Sequence, residues 1–179
     1  MNLQIQQRMA LVCGAGSGLG QAIACSLAQE GVKVAVTGRN REKLAQTVER
    51  ITQLGGTARA WPLDLAVPEQ FDTVIADIRE HWGDIDILVN NAGGYPKEIY
   101  NNIEHQAIKI WEWSEEQWDQ IIKTNLRIPF LCINKVVPEM IKQHSGKIVS
   151  VSSRMGRIAS QMGAYAVAKA GIVTMTKTT

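Results

Sequence analysis

Short apolar runs alternate with longer amphipathic stretches along the whole chain. Met9–Cys13 (MALVC) has no polar side chain, as a strand buried on both faces requires. Residues 18–30 follow with helical spacing and stop at Gly31, a suitable left-handed residue after a helix. Val32–Thr37 reads as a second strand, and Arg41–Leu54 as a helix that halts at Gly55-Gly56. Thr57–Leu63 is a third strand. Pro68 opens a helix reaching about Trp82, since proline suits the first helical position. Ile85–Asn90 is a fourth strand. Ser114-Glu-Glu-Gln117 is a capping box, so a helix begins at Ser114. Lys147–Ser152 is a fifth strand, and the chain is helical from Gly163 onward.

This βαβα order, with strands of continuous Val, Ile and Leu, predicts an α/β fold. The expected architecture is a Rossmann-type, doubly wound parallel sheet with helices on both faces, and residues 1–179 read as one domain. Ligands of such sheets bind beyond the carboxyl ends of the strands, at the switch point. Those ends carry Gly14–Gly20, Gly38-Arg39, Asp64, Asn90–Gly93 and Ser152-Ser153.

Composition narrows the function classes. No run of about 18 apolar residues is present, so no membrane span is expected. The start, MNLQIQQRMALV, has no basic region followed by an apolar stretch and does not read as a secretory signal. A net charge of +2 gives no electrostatic footprint for nucleic acid or anionic lipid. Cys13, Cys25 and Cys132 form no CxxC pair, which points to a reducing cytoplasm rather than a disulfide framework. His81, His105 and His144 stand apart from one another and from the cysteines, so no metal site is expected.

The first strand end carries the first candidate chemistry. Gly14, Gly18 and Gly20 fit G-x-x-x-G-x-G between a strand and a helix. Glycines let a backbone approach a pyrophosphate, and the helix N-terminus offers N–H groups and a positive dipole end. The bland alternative is a tight turn with no ligand. An NAD site commonly has an acid about 20 residues on, for the ribose 2′-hydroxyl. Here the second strand ends in Thr37-Gly38-Arg39-Asn40, with no acid. An arginine suits a 2′-phosphate, so NADP is favoured over NAD. The alternative is that Arg39 is a solvated loop charge.

Tyr165 and Lys169 stand four residues apart and share a helix face. A neighbouring ammonium favours the phenolate, which lets a tyrosine exchange protons with a substrate oxygen near neutral pH. Tyr95 and Tyr100 have Ile99 and Glu104 at that spacing and do not qualify. Pro129 has no N–H for the Asn125 carbonyl, so the helix should bend at Asn125 and leave an acceptor free.

Taken together, these motifs resemble the short-chain dehydrogenase/reductase family, and 3-oxoacyl reductase-like members in particular. Six motifs follow the family's order. They are the Gly14–Gly20 turn (with Cys13 where Thr is usual), Asp64-Leu65, Asn90-Asn-Ala-Gly93, Asn125-Leu126, Gly146–Ser153 and Tyr165–Lys169. The resemblance implies hydride transfer between a nicotinamide cofactor and a small-molecule carbonyl or alcohol. It implies Tyr165 as acid/base, Lys169 as the group that holds the ribose and tunes Tyr165, and Asn125 as the holder of a proton-relay water. The serine that polarises the substrate is Ser153, ahead of Arg154-Met155-Gly156, with Ser152 as runner-up. It implies cofactor contacts from Gly14, Ser17, Gly18, Leu19, Gly20, Arg39, Asp64, Leu65, Asn90, Ala92 and Gly93, besides Tyr165 and Lys169. It also implies a homo-oligomer.

Two features depart from the family pattern. Residues 94–124 form a long stretch holding Tyr95, Tyr100, Trp111 and Trp113, which we expect to shape the substrate pocket, the alternative being surface packing or a subunit contact. The chain stops within its last helix, where the family has further strands, so a missing C-terminal part is expected. Two other readings stay open at this level: a dinucleotide-binding sensor without catalysis, and an inactive fragment of such an enzyme.

Overall fold

β1 (Met9–Cys13) is buried at every position, as its uninterrupted apolar run requires. The structure, a computed structural model, describes residues 3–95, 109–158 and 162–179. After β1 come α1 (Gly18–Gln29), β2 (Lys33–Gly38), α2 (Arg41–Gln53), β3 (Thr57–Pro62), α3 (Pro68–Trp82) and β4 (Ile87–Asn90). A 3-10 turn at Ile110–Glu112 precedes α4 (Glu115–Ile122), a π-helical turn at Lys123–Arg127 and α5 (Ile128–Lys142). β5 (Lys147–Ser150), a 3-10 turn at Arg154–Gly156 and α6 (Gly163–Thr178) complete the described elements.

The strand order is β3-β2-β1-β4-β5. β1 pairs in parallel with β2 on one side and β4 on the other, and β2 with β3. The connections therefore reverse around β1, and Cys13 stands beside Asn90 at that switch. The central strands β1 and β4 are buried throughout, while β5 alternates and leaves Val149 52% exposed. An apolar run therefore marks burial on both faces only for central strands. Among the described strands β5 lies at an edge, and it ends at Ser150 rather than Ser152.

Local signals account for most element ends. Ser114 caps α4 with its hydroxyl accepting the Gln117 N–H at 3.1 Å, and Gln117 answers the Ser114 N–H at 3.2 Å. Gly31 follows α1 with φ of 80°. At Pro129 the missing N–H is absorbed by widening: the Ile128 N–H reaches back five residues to the Lys123 carbonyl. The bend expected at Asn125 is thus a π turn centred on it.

The described residues divide into two compact units. One comprises Met1–Ala92 and Leu131–Val149, the other Gly93–Phe130 and Ser150–Thr179. The first unit has a core of Ala10, Val12, Ala24, Val34, Val36, Leu44, Ile51 and their neighbours. Among the described residues no helix is long and apolar enough to cross a membrane.

All three cysteines are free and buried. Cys13 Sγ and Cys132 Sγ lie 3.6 Å apart in a thiol–thiol contact, which with burial pushes the Cys132 thiol well above its usual range. Thiolate is the reactive form. We expect no prompt reaction of the native protein with a disulfide reagent such as Ellman's, and reaction of all three thiols in denaturant. A promptly titrating thiol in the native state would contradict this.

Candidate functional site

The first unit holds the glycine turn. The Gly14 and Ala15 N–H groups both donate to the Thr37 carbonyl, at 2.9 and 3.0 Å, and tie the turn to the end of β2. The Asn91 side-chain amide donates to the Gly14 carbonyl at 3.0 Å. Gly14 has φ of +79°, and a Cβ there would lie 2.8 Å from Ala92 Cα. A Cβ on Gly20 would overlap the Gly14 carbonyl and the Asn91 amide. The turn and the segment after β4 are therefore packed backbone on backbone, which only glycine permits.

This cradle fits a dinucleotide pyrophosphate. Ser17 stands extended ahead of α1 and makes no side-chain capping bond, so the first N–H groups of α1 have no cap from it. Ser17, Gly18 and Leu19 are exposed at the mouth of the turn, with Leu19 57% exposed. Arg39 is exposed just beyond β2. Asp64 Oδ1 accepts the Ala66 N–H at 2.9 Å, which shapes the loop after β3. Leu65 is a core residue, 4% exposed, so its side chain serves packing. Asn90 is buried at the end of β4.

The second unit holds the candidate proton-transfer groups. Lys169 on α6 is buried, and its Nζ donates to the Val151 carbonyl at 2.9 Å. Burial lowers its pKa. The same Nζ sits 5.6 Å from the centroid of the Tyr165 ring. Asn125 is fully buried and clamps Gly94: its Oδ1 accepts the Gly94 N–H, and its Nδ2 donates to the Gly94 carbonyl, each at 2.8 Å. A Cβ on Gly93 would lie 2.8 Å from Asn125 Oδ1 and 3.4 Å from Lys169 Nζ. Gly93, Asn125, Lys169 and Tyr165 therefore form one neighbourhood.

The two serines separate clearly. Ser152 donates its hydroxyl to the Lys169 carbonyl at 2.8 Å and so anchors α6. Ser153 accepts the Met155 N–H at 3.2 Å, which leaves its own proton available to another acceptor.

Several participants carry no motif of their own. Thr37 and Val151 act through main-chain carbonyls, which any residue could supply. Asn91 lies inside Asn90-Asn-Ala-Gly93, where its spacing was the available signal. Tyr95 stacks on Tyr165, with ring centroids 5.0 Å apart. Of the aromatic stretch expected to shape a pocket, Tyr95 and Trp113 join Tyr165, Trp118, Ile121 and Ala164 in a cluster, whereas Trp111 is 76% exposed. Tyr100 and His105 lie outside the described residues.

Known proteins resemble this chain in sequence and in fold. The chain is 35% identical over 173 residues to the 3-oxoacyl-acyl-carrier-protein reductase FabG of Staphylococcus epidermidis, covering 96% of this chain and 67% of that protein. It is 36% identical over 178 residues to FabG of Thermotoga maritima, covering 98% and 68%. Among solved structures it resembles an F189W variant of actinorhodin polyketide ketoreductase with NADPH. That match has a TM-score of 0.86 at 30% identity and covers 99% of this chain and 65% of that one. A metagenomic short-chain oxidoreductase in complex with NADP superposes with a TM-score of 0.85 at 28% identity, covering 97% and 75%. The chain thus spans about two thirds of the length of most of these relatives. The sequence profile described as short chain dehydrogenase matches residues 8–179, and the chain belongs to that family.

Proposed function

We propose that this protein is an NADP(H)-dependent oxidoreductase that interconverts a small-molecule carbonyl and its alcohol. The observation that carries the reading is the buried Lys169 ammonium 5.6 Å from the Tyr165 ring, beside Gly93 and the Asn125 clamp. A module that only bound a dinucleotide would need no such pairing. The cofactor supplies or accepts the hydride. Tyr165 gives the proton to the carbonyl oxygen as the alcohol forms, and takes it back in the reverse direction. Ser153 directs its O–H toward the same oxygen. Lys169 favours the phenolate left on Tyr165, and Asn125 serves the proton path and holds the loop at Gly94. In this reading residues 1–179 act as one cofactor-binding domain. Gly14, Ser17, Gly18, Leu19, Gly20, Asp64, Asn90, Ala92 and Gly93 line the cofactor's path, while Leu65 packs in the core. The protein works in the cytoplasm as a homo-oligomer, in keeping with its free thiols and its family.

The test is a screen that follows NADPH absorbance with an acetoacetyl thioester, simple ketones, sugars and steroids. Turnover of at least one carbonyl is expected, and none across the panel would overturn the reading.

Arg39 carries the preference for NADP, because a guanidinium can hold a 2′-phosphate with two parallel bonds. Arg39→Ala should raise KM for NADPH roughly 10- to 100-fold and leave KM for NADH within about threefold, as expected for charge-assisted bonds of about 1.5–3 kcal/mol. Equal losses for the two coenzymes would remove Arg39 from this role.

A further inference from the structure

Two phenol rings lie face to face in the second unit. The Tyr95 and Tyr165 centroids are 5.0 Å apart and their planes 28° from parallel. Tyr95 is anchored at its far end: its hydroxyl donates to the Met162 carbonyl at 3.1 Å. That carbonyl also accepts the Tyr165 backbone N–H at 3.0 Å. One acceptor at the start of α6 therefore fixes both the backbone of Tyr165 and the ring that lies on it. The pair packs, as do Trp113 and Trp118, against Ile121 and Ala164.

We propose that Tyr95 is a positioning residue, whose stacked ring fixes the orientation of the Tyr165 phenol. The proposal rests on the reading of Tyr165 as the proton donor. Tyr165 is the third residue of α6 and only half-buried, so the helix does not enclose its ring on every side. Offset aromatic stacking supplies a preferred plane. Proton transfer needs the phenol oxygen within hydrogen-bond reach of the substrate, and a misplacement of about 1 Å can cost roughly 100-fold in rate.

Tyr95 does not compete for the proton it helps to aim. Burial, and then negative charge on Tyr165, push its pKa up to about 12. It stays a neutral phenol at neutral pH. Among the described residues, Tyr95 and Lys169 are the titratable groups placed against the Tyr165 ring. Tyr95 has no partner at Y-x-x-x-K spacing, so its part is legible only in the stack.

The test compares Tyr95→Leu and Tyr95→Phe in the intact protein, with NADPH and acetoacetyl-CoA as the carbonyl probe. Tyr95→Leu should lower kcat roughly 10- to 100-fold and displace the kcat–pH profile, with KM for NADPH held within about twofold. Tyr95→Phe keeps the ring and should restore kcat to within about threefold of the parent, since the stack is retained. A Leu variant with the parent's kcat and pH profile would overturn the proposal. So would a Phe variant as slow as the Leu variant with NADPH binding intact. Tyr95→Met replaces Tyr95→Leu under the same criteria if the Leu chain does not melt cooperatively. Should acetoacetyl-CoA not turn over, phenolate absorbance decides: the signal lost in Tyr165→Phe should shift in Tyr95→Leu and return in Tyr95→Phe. An unshifted signal overturns the proposal. Tyr165→Phe separates the two levels. If it is active, the reading of Tyr165 fails; if it is inactive while Tyr95→Leu is unimpaired, only the positioning role fails.

Discussion

Tyr165→Phe should lower kcat by about three orders of magnitude and leave NADPH affinity within about threefold, because general acid catalysis contributes roughly 10²–10⁴-fold. The substitution removes one oxygen and keeps the ring. The stack with Tyr95 therefore survives, as does the backbone bond from residue 165 to the Met162 carbonyl. Among the described residues, no hydrogen bond that holds α6 depends on the phenol oxygen. Ser152 still anchors the Lys169 carbonyl, and Lys169 still donates to Val151. The lost proton transfer belongs to the transition state, so kcat and kcat/KM should fall together. Steady-state kinetics with a fluorescence titration of NADPH would check both parts. An active Phe variant would remove Tyr165 as the acid, and a variant that no longer bound NADPH would show a structural defect instead.

Gly20→Ala is expected to be the most damaging single-methyl change in the first unit. The added Cβ would overlap the Gly14 carbonyl oxygen and the Asn91 amide, the two partners of the 3.0 Å bond that joins the turn to the segment after β4. Neither can yield cheaply. Gly14 is held through Thr37 on one side and abuts Ala92 on the other, and Asn91 follows directly on β4. Overpacking costs about 1–3 kcal/mol and a broken hydrogen bond about 1 more, so a loss of roughly 2–4 kcal/mol is expected. For a chain of this size that corresponds to a fall in Tm of roughly 5–15 °C. NADPH should then stabilise the variant much less than the parent, because the displaced atoms are those of the cradle. Thermal melts with and without NADPH would measure both effects. An unchanged Tm would mean that the turn is looser than its packing indicates.

Much of this was legible in the residues alone. An uninterrupted apolar run marked β1, a capping box marked the start of α4, and Pro129 marked the disturbance at Asn125. These signals are local: each depends on a few neighbouring residues and on the geometry of one chain segment. The motif spacings likewise selected Gly14, Gly20, Asn125, Tyr165 and Lys169, because each needs a residue type that no other supplies.

What escaped the sequence was relational. Val149 is as apolar as Val12, yet one lies on an edge strand and the other in the centre, and only strand order distinguishes them. Ser152 and Ser153 are adjacent and alike; the carbonyl of Lys169, seventeen residues on, occupies one of them. Tyr95 looks inert in the chain, and the fold lays it on Tyr165, seventy residues away. The sequence by itself determined which segments are strands and helices, and which residues could carry charge, proton or pyrophosphate. Tertiary structure alone decided which of those groups meet. Periodicity and capping act within a few residues, whereas hydrogen bonds and ring contacts between distant segments exist only once the chain has closed on itself.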